Sequence, residues 1–224
     1  MSRNQLIIVV VAVIVIVGAV LAYYFWPAGS STEAAIPASG SGGAGYTLAA
    51  DDHTMGNPKA KVVLIEYAAP TCPHCAHFDE TVFPQLKQKY IDSGKVYYVF
   101  RVFPLHPSDG AAEAMAVCLP KDNYFQFIDL LFRNQKDWDW EYQVQDIHGG
   151  LVKMGRIAGM SPEQVDKCIG DKAVQDHINK VALDGQTRYS ITGTPTFVIN
   201  GVVHTDVTDW TVMQTALDAQ LAAK

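Results

Sequence analysis

Val62-Val63-Leu64-Ile65-Glu66-Tyr67-Ala68-Ala69-Pro70-Thr71-Cys72-Pro73-His74-Cys75-Ala76-His77-Phe78 is the stretch that decides the fold. Lys61 to Tyr67 reads as a strand apolar enough to be buried on both faces. Beyond Pro70, the residues Phe78, Val82, Leu86 and Tyr90 recur at helical spacing, so a helix is expected to run to about Tyr90. Cys72-Pro73-His74-Cys75 then falls in the first turn of that helix. Thr71 is the expected N-cap, and Pro73 is tolerated because first-turn N–H groups lack an intrahelical partner anyway. A thiol placed there meets free N–H donors and the positive end of the helix dipole, which favour its thiolate. One pKa unit of that preference is worth about 1.4 kcal/mol.

The flanking sequence completes a pattern. Val96 to Phe103 is a second strand, stopped by Pro104, and strand–helix–strand implies parallel pairing through a right-handed crossover. On the N-terminal side, Tyr46-Thr47-Leu48 is expected as a short edge strand and Gly56-Asn57-Pro58 as a turn. Residues 105–189 change to helical periodicity, with helices expected over Asp109–Leu119, Asn123–Asn134 and Tyr142–Ile157. Ser161-Pro162 opens another through Ile169, and Asp171–Arg188 is a long one turning Val174, Ile178, Val181 and Leu183 inward. Strand signal returns at Thr196–Ile199, turns at Asn200-Gly201 and resumes at Val202–His204, before a closing amphipathic helix over Asp209–Ala222.

Leu6 to Trp26 is almost unbroken in apolarity, and 21 residues of helix reach about 32 Å, enough to cross a bilayer core of about 30 Å. Arg3 precedes it and no basic residue follows until Lys59, which places the N-terminus in the cytoplasm and the remainder outside. An uncleaved signal anchor over residues 1–26 is favoured over a cleaved signal peptide, because the apolar core is longer than a signal needs. Either reading exports the cysteines to an oxidising compartment. Residues 27–45 form a Gly, Ser, Ala and Pro-rich flexible linker. The net charge of -6 and the absence of a basic stripe argue against a nucleic-acid partner.

A strand, Cys-Pro-His-Cys opening a helix, a second strand, and Thr194-Pro195 ahead of a terminal ββα unit resemble the thioredoxin fold. The helical block of about 85 residues between the two halves resembles that of the DsbA family of exported thiol:disulfide oxidoreductases. The expected fold class is therefore α/β: a thioredoxin-like domain over 46–104 and 190–224, with an all-helical domain over 105–189 inserted and an N-terminal transmembrane helix.

Two thiols at a helix start close a small disulfide with little movement. Cys72, the better exposed, is the expected nucleophile and Cys75 the resolving thiol, reacting through a mixed disulfide. Pro73 and His74 are the family's intervening dipeptide, and a charged His74 would add to the dipole. A structural disulfide or half of a zinc site are the plainer alternatives for the pair. The resemblance implies that Pro195 is cis and sits against the Cys72 sulfur, with Thr194 and Pro195 docking an extended substrate chain; an ordinary strand-opening proline is the alternative. Glu66 matches the family's buried acid beneath the dithiol, with Arg101 a candidate partner; a solvated strand edge is the alternative for both. For His77 a partly exposed helix residue and a role at the site are equally open readings, and the same holds for His53. Cys118 and Cys168, left over in an exported chain, most simply form a structural disulfide, with a second redox couple as the alternative.

The leading expectation is an enzyme that donates its disulfide to unfolded, reduced exported proteins and is recycled by a quinone-linked membrane oxidase. It would act as a monomer in the bacterial inner membrane with its catalytic domain in the periplasm, or free in the periplasm after cleavage, using no cofactor beyond the cysteine pair and no metal. A disulfide isomerase or reductase is second. Thr194 leans that way, because the family's isomerases often carry Thr before the proline where its best-studied oxidases carry Val. The linker, however, leaves no room for the oligomerisation region isomerases need. A metal-handling or chaperone-type protein using Cys72, His74 and Cys75 is third.

Overall fold

Seven consecutive buried residues make strand β2, Val62–Ala68, the centre of the molecule. In the computed structural model, which describes residues 46–223, it lies third in a five-stranded sheet of order β1-β3-β2-β4-β5. The other strands are β1 (His53–Gly56), β3 (Val96–Val102), β4 (Thr196–Ile199) and β5 (Val202–His204). β2 and β3 pair in parallel, while β1, β4 and β5 join antiparallel. The expected anchor at 1–26 and linker at 27–45 lie outside the described residues. Among the described residues no helix is long and apolar enough to cross a membrane.

Between β2 and β3 the chain forms α1 (Pro73–Thr81), α2 (Phe83–Leu86) and a π-helical turn, Lys87–Ile91. The single helix expected to Tyr90 is thus broken at Val82, where Pro84 in the next turn withholds a backbone donor. The block after β3 holds α3 (Pro107–Cys118), α4 (Tyr124–Arg133), α5 (Gln135–Trp138), α6 (Ile147–Ile157), α7 (Pro162–Ile169) and α8 (Lys172–Tyr189). The chain ends on α9, Trp210–Ala222, capped by Asp209.

Side chains alternate across a strand, so β2 feeds two cores. Val62, Leu64 and Ala68 face the larger one with Phe78, Tyr98, Phe100, Phe197 and Leu217. Val63, Ile65 and Tyr67 face the smaller one with Tyr189 and Ile191. At about 25 cal/mol per Å² of apolar surface, this two-sided burial is what fixes the β2 register.

Four local expectations need correcting. Tyr46-Thr47-Leu48 is not a strand; the edge position belongs to β1, whose His53–Gly56 pairs with Tyr97–Phe100. The helix expected from Tyr142 begins only at Ile147, because Gln143 takes a left-handed φ of 64° and Asp146 caps with its side chain accepting from Gly149 N–H. Gly150 there packs so closely that a Cβ would sit 2.6 Å from the Cα of Trp138. Leu183 is 61% exposed, so the inward face of α8 runs instead through Ile178, Gly185 and Tyr189. Thr71 is not the cap of α1, as described next.

Candidate active site

α1 starts at Pro73, and its N-cap is Cys72 itself: φ -73°, ψ 116°, with Sγ accepting from the Cys75 backbone N–H at 3.3 Å. A cysteine here does what Ser or Asp does at an ordinary helix start, and the donor it answers is one the helix cannot satisfy. Cys72 and Cys75 are both free thiols; Cys72 retains 5% exposure and Cys75 none. On its other side Cys72 Sγ–H donates to the Thr194 carbonyl at 3.4 Å. The Thr194–Pro195 peptide bond is cis. Pro73, His74 and His77 are exposed on the first turns of α1.

The two thiols are electrostatically unequal. The Cys75 thiol, then Thr194 and the backbone N–H groups of Cys75 and His74, favour the Cys72 thiolate and outweigh burial, bringing its pKa from 9.0 down to about 6. Thr194 Oγ1 is buried without a hydrogen-bond partner in this dithiol form. His74 contributes through its backbone N–H. Cys75 is pushed well above its ordinary value, first by burial and then by the neighbouring Cys72 and Glu66.

Glu66 is buried on the larger-core face of β2. Tyr98 on β3 donates its hydroxyl to Oε2 at 2.7 Å. Burial raises the carboxyl to about 8, with Asp79 and Cys72 adding to the rise and the Tyr98 bond opposing it. Glu66 is therefore protonated at neutral pH and titrates close by. Arg101 is not its partner. Arg101 stands beside Tyr67 in the β2–β3 register, so its side chain lies on the opposite face of the sheet from Glu66. There it donates to both oxygens of Asp52 at 2.8 Å, to Tyr67 at 2.9 Å and to the Thr47 carbonyl at 2.8 Å. Both residues are buried, so neither is a solvated edge group.

An open cleft of about 730 Å³ is lined by the neighbours of the thiols, His74 and Thr194, and by His77, Gln85, Pro195 and Trp210. Cys118 and Cys168 are joined as a disulfide that ties the end of α3 to α7. Among the described residues there is no group of three or more His, Cys, Asp or Glu side chains suited to a metal.

Three side chains around the dithiol carry no sequence signal of a site. Tyr98 reads as one more aromatic strand residue. Asp109 accepts from the Thr71 N–H at 2.8 Å and Gln135 donates to the Pro70 and Cys72 carbonyls at 2.9 and 3.1 Å, yet both lie in the helical block. The only hint was Asp109 at the start of a helix, a signal for a cap and not for a site.

A thioredoxin family model matches residues 49–219. A putative protein-disulfide oxidoreductase of Rickettsia bellii is 34% identical over 163 residues, covering 70% of this chain and 60% of its own length. The chain spans 55% to 60% of the Rickettsia relatives of this kind. A probable disulfide bond formation protein D of Bacillus cereus is 31% identical over 172 residues, 75% of this chain and 78% of that one. Among solved structures, Wolbachia pipientis alpha-DsbA1 superposes with a TM-score of 0.71 at 30% identity, covering 78% of this chain and 92% of that one.

Proposed function

Because the chain belongs to the DsbA-like family of thioredoxin-fold proteins, we propose that it is a thiol:disulfide oxidoreductase that donates its Cys72–Cys75 disulfide to folding exported proteins. The observation that carries this reading is the inequality of the two thiols. A sulfur whose pKa sits at about 6 is the better leaving group, and stabilising its thiolate stabilises the reduced protein, which makes the disulfide form the stronger oxidant.

The exchange balances as follows. A substrate thiolate attacks Cys72 Sγ, forming a mixed disulfide and breaking the Cys72–Cys75 bond with its electron pair on Cys75. Cys75, whose pKa is raised, takes a proton, and Glu66, protonated at neutral pH, is the proposed donor. A second substrate thiolate then attacks the substrate sulfur and releases Cys72 as a thiolate. The substrate has lost two electrons and the protein holds the dithiol seen here. Substrate backbone is proposed to lie in the cleft against Thr194 and Pro195.

In this reading the apolar run at 6–26 anchors the chain in the bacterial inner membrane, the segment at 27–45 tethers it, and the monomeric catalytic domain works in the periplasm. A quinone-linked membrane oxidase re-forms the disulfide. The thioredoxin-like body is 46–104 with 190–224, and 105–189 is its insertion. Isomerase or reductase activity is the second reading, and Thr194 against the Cys72 sulfur is the observation that favours it.

The test is equilibration of the Cys72–Cys75 couple with glutathione, paired with refolding of a reduced and a disulfide-scrambled substrate. A disulfide donor reaches half-reduction at a strongly oxidising glutathione ratio and accelerates only the reduced substrate. A couple poised on the reducing side, with rescue of the scrambled substrate, overturns donation in favour of the second reading.

A further inference from the structure

We propose that Gln135 and Asp109, both supplied by the helical block, are positioning residues that clamp the loop carrying Cys72 from its two edges. The loop between β2 and α1 is Ala69-Pro70-Thr71, and neither strand nor helix can satisfy its buried backbone groups. Pro70 C=O and Thr71 N–H belong to one peptide unit. Gln135 Nε2 donates to that carbonyl at 2.9 Å, and Asp109 Oδ1 accepts from that N–H at 2.8 Å. The peptide plane is thus held from opposite sides, while Gln135 also donates to the Cys72 carbonyl at 3.1 Å.

Each clamp residue is itself fixed. Asp109 is fully buried, and its other oxygen accepts from the Leu105 and His106 N–H groups, both at 2.9 Å. Gln135 is 4% exposed and its Oε1 accepts from the Tyr142 hydroxyl at 3.3 Å. Two carbonyl acceptors on one side and a hydroxyl on the other allow only one orientation of its amide. Cys72 is held extended as the N-cap, the conformation in which its Sγ reaches the Cys75 N–H. Releasing the peptide plane lets ψ at Cys72 wander and costs the sulfur its backbone donors. The helical block would then tune the nucleophile, although it contributes no group to the reaction.

The proposal rests on Cys72 being the exchanging thiol, but its test needs no substrate. Gln135→Met keeps the volume and removes both donors. Titrating the thiolate by its ultraviolet absorbance should show the Cys72 pKa raised by about half to one unit, roughly three- to tenfold in the thiolate equilibrium. The glutathione equilibrium should move by a similar factor toward the disulfide. Tyr142→Phe, at a half-exposed position, loosens only the amide and should shift both in the same direction by less. If Gln135→Met does not fold, Tyr142→Phe decides alone. The paired variant Cys118→Ala/Cys168→Ala weakens the helical block without touching the loop and should leave the Cys72 titration where it is. An unchanged Cys72 pKa in Gln135→Met or, failing that, Tyr142→Phe overturns the clamp. So does a shift in the paired variant as large as that in Gln135→Met. Failure of disulfide donation with these shifts present would instead count against the proposed function alone.

Discussion

Glu66 on β2 and Glu113 on α3 are both buried, both bonded by a tyrosine hydroxyl, and both raised by burial to about 8. Tyr98 donates to Glu66 at 2.7 Å; Tyr124 approaches the two oxygens of Glu113 at 2.9 and 2.8 Å. Their surroundings differ. Glu66 interacts by charge with Cys72 and Cys75. Glu113 faces His53, whose Nε2 stands 4.0 Å away and whose ring stacks on Tyr124 at 3.4 Å between centroids. Burial lowers that imidazole to about 4, so at pH 7 a neutral histidine meets a neutral acid and the contact is not an ion pair. A buried acid near neutral pKa is thus a proton store in either place, but only Glu66 has thiol chemistry beside it. Perturbed titration marks a candidate, and the neighbours decide what it is for.

The largest expected effect separates the two regions by stability. Cys118 ends the helix that carries Glu113, and its bridge to Cys168 closes a loop of 50 residues. By chain entropy such a loop is worth about 4 kcal/mol. The paired variant Cys118→Ala/Cys168→Ala should lose most of this in chemical denaturation, with its Cys72 chemistry intact. Loss of dithiol reactivity in the folded variant would mean that the two regions are not independent.

The next effect lies on the thiol side. Glu66→Gln keeps size and the Tyr98 contact but cannot give Cys75 a proton. Stopped-flow oxidation of a reduced peptide by the disulfide form should slow by about tenfold or more, as loss of general acid assistance does. The rate should also lose its inflection near pH 8. An unchanged rate with an unchanged pH profile would reduce Glu66 to a structural group like Glu113.

How much of this was legible in the sequence follows from which interactions are local. β2, the helix that follows it and the β4–β5 hairpin are readable because an unbroken apolar run, a proline in the first helical turn and Asn200-Gly201 act within a few residues, although the cap falls on Cys72 and not on Thr71. Cys72, Cys75 and Pro195 carried the family's motif. Glu66 is readable as a charge interrupting an apolar strand, but Arg101, its candidate partner, lies on the other face, since facing depends on the register between two strands. Gln135 and Asp109 reach the Cys72 loop from 63 and 38 residues away in sequence. No local pattern encodes contacts of that range. The helix expected from Tyr142 starts later for a related reason: its periodicity is real, but the left-handed backbone at Gln143 and the side-chain cap of Asp146 set the true start.

The effect confined to pH completes the comparison from Glu113. With a folded pKa of about 8 against roughly 4.3 for an unfolded glutamate, the folded protein holds a proton that the unfolded chain has already lost. Stability therefore falls as pH rises between those values and levels off above them. Glu66 acts with the same sign. Cys72, lowered to about 6 from 9.0, acts oppositely over pH 6 to 9, but only in the dithiol form, so the measurement belongs on the disulfide form. There, Glu113→Gln should change stability by no more than about 1 kcal/mol at pH 4, where the acid is neutral in the folded protein and still largely protonated in the unfolded chain. Its stability should then decline less steeply toward pH 8 than that of the unsubstituted protein. Peptide oxidation by this variant should match the unsubstituted rate. If Glu113→Gln slowed oxidation as Glu66→Gln is expected to, the rear acid would be communicating with the thiols, and two equivalent buried acids would have to be treated as one network.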